Sequence, residues 1–188
     1  MVTTNRPMWA KHLGFLRLHG VDNYPDFLPV VTSYASNHGA NVSLRDLIDS
    51  EIWHGRGHGN SDGFDMIAAV ESITVHWAAD LAHVRNRGIL PVYKTDGFPD
   101  INARLVVNRG NRDGDLLTIT EPQFPHGTRF LIVDDVVITG GTVLAAAKLL
   151  EKHGGQVVAI ACMAELTEHG GRELLEKEGY RLLSVLQF

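Results

Sequence analysis

The chain is poor in the features that mark secreted, membrane-spanning or nucleic-acid-binding proteins. It has one cysteine, Cys162, among 188 residues, so no disulfide can form within it. That cysteine lies inside the apolar run VVAIACMAE, the setting of a buried small hydrophobe. No stretch approaches the roughly 18 consecutive apolar residues of a membrane helix. The opening MVTTNRPMWAKHLGFL lacks a long apolar core, so no signal peptide is expected and the cytoplasm is the default compartment. Positive charge is not in excess. The formal net charge is −5, which gives the chain no global attraction for nucleic acid or an anionic membrane, and neither is expected as a partner. Internal repeats and low-complexity segments are missing too. What remains, 44% hydrophobic and 21% charged, is ordinary for a soluble globular protein, and the length suits one domain or one domain with a small appendage.

The character of the chain changes near residue 63. Residues 1–63 mix polar, glycine and histidine residues with short apolar pieces. Residues 64–188 alternate between strand-like and helix-like segments. FDMIAAVE, GILPVYK, LLTIT, RFLIVDD, QVVAIACMAE and RLLSVLQF read as strands. SITVHWAADLAHVRN, GTVLAAAKLLEKHGG and GGRELLEKEGY read as helices, the first with Ser72 as a candidate N-cap and the second with Gly154 placed to end it. Alternation of this kind, with continuously apolar strands, predicts an α/β fold: a mostly parallel central sheet flanked by helices on both faces.

In such sheets ligands bind beyond the carboxyl ends of the strands. That is where VDDVVITGGT, residues 133–142, places two adjacent carboxylates and a hydroxyl-rich turn. Gly140 and Gly141 let the backbone fold tightly and approach a ligand. The exposed amides of the turn and of the following helix N-terminus suit a phosphate, and Thr139 and Thr142 add hydroxyl donors. Carboxylates do not suit phosphate. They suit the vicinal hydroxyls of a sugar, or the water shell of Mg²⁺. The pattern therefore points to a sugar phosphate.

FLIVDDVVITGGT closely resembles the phosphoribosyl-pyrophosphate (PRPP) binding motif of type I phosphoribosyltransferases: a strand, two acids, then Thr-Gly-Gly-Thr. The likeness extends toward adenine phosphoribosyltransferases through FDMIAAVES, GILPVYKTDGFPD and the closing AELTEHGGRELLEKEGYRLLSVLQF, with its Glu-Leu, Gly-Arg and Ser-x-x-x-Phe elements. It spans residues 64–188. Xanthine phosphoribosyltransferases share part of the closing pattern, so the reaction is better specified than the base. The resemblance implies a type I phosphoribosyltransferase core over 64–188 and a small base-binding hood over 1–63. It implies transfer of 5-phosphoribosyl from PRPP to adenine or a related purine, releasing pyrophosphate and a nucleoside 5′-monophosphate. A homodimer is implied as well.

Roles follow by the same resemblance. Asp134 and Asp135 would hold the ribose hydroxyls as the catalytic pair. Ile138, Thr139, Gly140, Gly141 and Thr142 would bind the 5′-phosphate. Glu71, Ser72 and Lys94 would meet the pyrophosphate, under a lid running from Thr95 to about Asp115. Mg²⁺ would be chelated by the substrate's oxygens, with no direct protein ligation. Several positions depart from the family pattern. Ile73 and Thr74 stand where the adenine-specific enzymes carry Arg-Gly. No glutamate lies between Lys94 and Glu121, where the family places one in the lid; Asn108 or Asn111 falls near its place, and Asp113 is the nearest acid after it. Arg104, Arg109 and Arg112 are candidates to restore the missing positive charge. In the hood only YPDF and LRDL echo the family, and the stretch between Leu47 and Phe64 is too short for the long helix expected there.

The remaining features have plainer readings. His54 and His58 in HGRGHG are half a metal site at best, and the intervening glycines argue for a loop. His76 and His83 share a helix face two turns apart, too far to share a metal. Trp53 and Phe64 are candidates to stack on a purine or simply to fill the core. Two readings of function stay open: an enzyme of base salvage, or a catalytically inactive PRPP-binding regulatory protein with the same fold. No helix-turn-helix pattern in the first 60 residues supports the regulator.

Overall fold

A computed structural model describes residues 7–18, 21–52, 63–70, 73–94, 107–108, 116–119 and 124–188. In chain order the elements are β1 (Gly14–Leu18), β2 (Val21–Asp26), α1 (Leu28–Thr32), α2 (Tyr34–Glu51), β3 (Met66–Val70), α3 (Thr74–Arg85), β4 (Gly88–Lys94), β5 (Val107–Asn108) and β6 (Leu116–Ile119). They continue with β7 (Arg129–Val137), α4 (Gly141–Lys152), β8 (Gln156–Glu165), α5 (Gly171–Lys177) and β9 (Leu182–Gln187). Among the described residues seven strands form one sheet in the order β5-β6-β4-β3-β7-β8-β9. From β4 to β9 all neighbours are parallel; β6 runs antiparallel to β4, and β5 to β6. This is the mostly parallel α/β architecture that the alternation of segments predicts.

The continuous apolar runs are explained by burial on two faces. Along β7, Leu131 and Val133 pack with the helices α2 and α3, whereas Phe130 and Ile132 pack with α4 and α5. α4 supplies Val143, Ala146, Ala147 and Leu150 to the second face, a stripe at helical spacing. It ends at Lys152, with Gly154 just beyond it in the left-handed region (φ 83°).

The amino-terminal part departs most from expectation. The long helix for which there is no room between Leu47 and Phe64 lies upstream, as the 18 residues of α2. Its sequence, YASNHGANVSLRDLIDSE, hides a stripe of Ala40, Leu44 and Ile48, all buried. One signal was legible, the four-residue spacing of those three; asparagines, serines and Gly39 diluted it. β1 and β2 form a separate antiparallel hairpin, and YPDF falls across its end.

The core on this face runs across residue 63. Trp9, Phe27, Val30 and the α2 stripe share one cluster with Phe64, Ile67, Trp77 and Leu131. Phe27 meets Trp77 edge-on with centroids 5.2 Å apart, and Trp77 Nε1 donates to Asn37 Oδ1 at 3.0 Å. Ion pairs of Arg85 with Asp49 and of Arg181 with Glu51 tie α2 to α3 and to the start of β9. Phe27→Ala should therefore cost about 3–5 kcal/mol and shift a single urea transition, read by fluorescence and circular dichroism together. A separate early transition of the amino-terminal segment would contradict the shared core.

Candidate functional site

The site forms because β7 outruns one of its neighbours. Pairing of β7 with β3 ends at Ala69 opposite Val133. Pairing with β8 continues through Asp134 opposite Cys162 to Val137 opposite Glu165. The two aspartates therefore lie inside the strand, not at its end, on a stretch paired through β8 alone among the described residues. The side-chain alternation also slips there. Val133 and Val136 pack in the same cluster, on either side of the pair.

Asp134 is 5% exposed, and Asp135 is half-buried. Local backbone bonds fix both carboxylates. Asp135 N–H donates to Asp134 Oδ1 at 2.9 Å, and Val136 N–H donates to Asp135 Oδ1 at 2.8 Å. Burial pushes the Asp134 carboxyl well above the usual aspartate range, and the neighbouring Asp135 charge adds to the rise. The Lys94 ammonium, at the carboxyl end of β4, pulls the other way. Lys94 thus reaches the electrostatic neighbourhood of the pair across β3. Cys162, opposite Asp134, is wholly buried, and burial holds its thiol well above its ordinary value, so it is inert filling.

Beyond Val137 the chain turns through residues 138–140 into α4. Ile138 is half-buried, Thr139 exposed, Gly140 buried, and Gly141 and Thr142 half-buried. Gly140 sits in the left-handed region (φ 76°), which only glycine adopts without cost. Among the described residues no side chain caps α4, and the start of a helix, where the first amides have no intrahelical acceptor, suits an anion. Two carboxylates and an anion-seeking helix start are thus placed on one turn of chain.

Glu71, Ser72, Arg104, Arg109, Arg112 and Asp113 lie outside the described residues, as do Trp53, His54 and His58. Thr74, which stands where the family has glycine, is the first residue of α3. It is wholly buried, its hydroxyl without a hydrogen-bond partner among the described residues. Phe64 is wholly buried in the core. His76 and His83 are exposed on α3, and His76 Nδ1 lies 3.1 Å from the Ile73 carbonyl. The closing elements Glu-Leu, Gly-Arg and Ser-x-x-x-Phe converge. Glu165, 1% exposed, receives Arg172 in a forked ion pair (Nε–Oε1 2.9 Å, Nη2–Oε2 2.5 Å) and also accepts from Ser184 Oγ at 2.8 Å. Reasoning from sequence gave these residues no role. A lone glutamate ending an otherwise apolar strand was the available signal, since such a group must be paired.

A buried carboxyl with a raised pKa makes folding take up a proton. Its stabilising contribution is complete below the unfolded aspartate value and is lost as the pH rises through the folded value. Asp134→Asn keeps the oxygen that accepts the Asp135 amide and removes the buried charge. It should raise the melting temperature of the ligand-free protein at pH 7, with the gain shrinking as the pH falls toward 4. A melting series over that range checks the sign; a variant less stable than wild type at pH 7 would contradict it.

Residues 58–186 match the phosphoribosyl transferase domain family. An adenine phosphoribosyltransferase of Prosthecochloris aestuarii is 34% identical over 149 residues, covering 78% of this chain and 81% of that protein. The crystal structure of adenine phosphoribosyltransferase from Thermoanaerobacter pseudethanolicus superposes with a TM-score of 0.71 at 32% identity, covering 88% of each chain. That from Rhodothermus marinus superposes with a TM-score of 0.77 at 25% identity, covering 96% of each. With the aspartate pair, the glycine turn and the shared sheet in place, these likenesses make the chain a member of the phosphoribosyltransferase family, with the type I fold of the adenine phosphoribosyltransferases it resembles.

Proposed function

We propose that the protein is a purine phosphoribosyltransferase, a pentosyltransferase that moves 5-phosphoribosyl from PRPP to adenine or a related purine. The observation that carries this reading is buried Asp134 beside half-buried Asp135, followed by a glycine turn into a helix start that no side chain caps among the described residues. A ribose with a 5′-phosphate satisfies both halves at once: hydroxyls donate to the carboxylates, and phosphate accepts from the amides of residues 140–142.

The chemistry follows from where charge develops. The bond from the anomeric carbon to pyrophosphate breaks with its electron pair going to the pyrophosphate oxygen, a bond to the purine nitrogen forms, and that nitrogen's proton passes to water. The anomeric carbon becomes cation-like on the way, and the carboxylates beneath the ribose stabilise it. Holding the sugar by phosphate and hydroxyls together positions that carbon for attack. Lys94 meets the leaving pyrophosphate, with Glu71 and Ser72 forming the pyrophosphate turn; Asp113 is the nearest acid in sequence after the place of the family's lid glutamate. Among the described residues no group of three or more His, Cys, Asp or Glu would hold a metal by protein atoms alone. The adjacent carboxylates fit Mg²⁺ held chiefly by PRPP's own oxygens, where it would offset the charge of the pyrophosphate.

The hood over 1–63, the homodimer and a cytoplasmic location belong to this reading as proposals. Among the described residues no helix is long and apolar enough to cross a membrane. A PRPP-binding regulator that has lost catalysis is the second reading. It is favoured by Ile73 and the buried Thr74 in place of the family's Arg-Gly.

A base panel decides between them. With PRPP and Mg²⁺, adenine or another purine should be converted to its nucleoside monophosphate, and Asp134→Asn with Asp135→Asn should lower turnover by roughly 10²–10³-fold. PRPP binding without turnover of any base would favour the regulator. The lid arginines are tested separately. Arg104, Arg109 and Arg112 all changed to Ala should raise the KM for PRPP, and an unchanged KM would remove them from the site.

A further inference from the structure

The turn that would hold the phosphate is not shaped by its own residues alone. One side of it lies against the start of α5. A Cβ built on Gly171 would stand 2.2 Å from the Ile138 carbonyl oxygen and 3.1 Å from the Gly140 amide nitrogen. A Cβ on Gly140 would stand 2.9 Å from the Gly171 carbonyl oxygen and 3.3 Å from Leu175 Cγ. Two backbones therefore meet with no side chain between them. Gly140 has a conformational reason to be glycine, its positive φ. Gly171 has none, because it is not among the residues with positive φ. Only the lack of space excludes a side chain there.

α5 is fastened where it meets the turn. Arg172, the next residue, forks onto Glu165 and donates from Nη1 to the Leu182 carbonyl at 2.9 Å. Glu165 is the register partner of Val137, the last residue of β7 before the turn. The far end of α5 is tied to α4 by Lys148 with Glu178 at 3.2 Å and by Tyr180 Oη donating to Glu151 Oε2 at 2.7 Å. The helix that follows the turn and the strand that precedes it thus hold the same buttress.

We propose that Gly171 and the Glu165–Arg172 pair are positioning residues for the phosphate turn. They set where the amides of residues 140–142 point, and through them the affinity for the ribose 5-phosphate end of the substrate. This deepens the functional reading above and rests on its placing of the 5′-phosphate at this turn. A Cβ at Gly171 forces the turn or α5 to move by about 1 Å to restore an ordinary carbon–oxygen separation. A displacement of that size costs as much as 10²-fold where orientation matters.

The test is calorimetric titration of ribose 5-phosphate and, separately, pyrophosphate into wild type, Gly171→Ala, Arg172→Lys and Gly170→Ala. Gly171→Ala should weaken ribose 5-phosphate by roughly tenfold to a hundredfold and leave pyrophosphate unchanged. Its KM for PRPP should rise more than its kcat falls. Arg172→Lys keeps the charge but loses the fork, and should move the same quantities in the same direction by less. Gly170→Ala is the control for strain. Its φ is 73° and its nearest neighbour, Glu173 Oε2, is 4.0 Å from the added carbon, so it should lose thermal stability and keep its affinity. Wild-type affinity in Gly171→Ala, or equal loss of both ligands, would overturn the proposal. If Gly171→Ala does not fold, Arg172→Lys decides by the same criterion. Failure of the wild type to bind ribose 5-phosphate would overturn the reading of the turn and this proposal with it. Wild-type binding with unaffected variants overturns this proposal alone.

Discussion

A carboxylate held out of water is the constraint around which the rest of this structure is arranged. Burying Asp134 disfavours its charge, and a second acid beside it makes matters worse. Among the described residues, Lys94 and the Asp135 amide offset only part of this. The strand on which it sits is held by the packing of Leu131 and Val133 on one face and Phe130 and Ile132 on the other. Apolar burial on both faces of β7 stabilises the position that the aspartate itself opposes. Such an arrangement persists where a ligand supplies what the fold leaves out. Under the proposed function, a sugar with vicinal hydroxyls, near Lys94 and a phosphate, would do so.

The same economy appears in how the sheet edge is made. β7 and β8 travel together past the end of the β3 pairing, and the notch that results lies where parallel sheets bind ligands. The turn leaving β7 then runs into one helix and lies against the start of another. One helix, α4, offers it amides. The other, α5, offers it a backbone surface with no side chain, and is itself held by an ion pair whose carboxylate ends the neighbouring strand. α4 follows the turn directly, whereas α5 and the end of β8 reach it from farther along the chain.

Much of the core was legible because its signals are local. A strand that is apolar at every position has to be covered on both sides, so β7 and β8 announced themselves as interior strands of a parallel sheet. The spacing of apolar residues marked α4, and Gly154 marked its end. The amino-terminal helix was not legible, because its buried stripe is short and set among residues of weak helix preference. α2 is helical because Ala40, Leu44 and Ile48 find Trp77 and Leu131 to pack against, a partner surface that no window of its own sequence contains. Phe64 was ambiguous for the same kind of reason. An aromatic ring reads alike whether it stacks on a base or fills a core, and its burial decided for the core.

The sequence by itself grouped acids, glycines and hydroxyls within residues 134–142, and the proposed sugar-phosphate site rests on that grouping. It also determined the class of fold, through patterns of period two and period 3.6 that any strand or helix must satisfy. Only the tertiary structure decided that the aspartates lie within a strand, because that depends on how far each neighbouring strand extends. Only the tertiary structure paired Glu165 with Arg172 and set Gly171 against the turn. A charge can be buried only beside its partner, and a glycine can be demanded by space only once another backbone arrives. Both conditions hold between segments far apart in the chain, and so neither is written in any one of them.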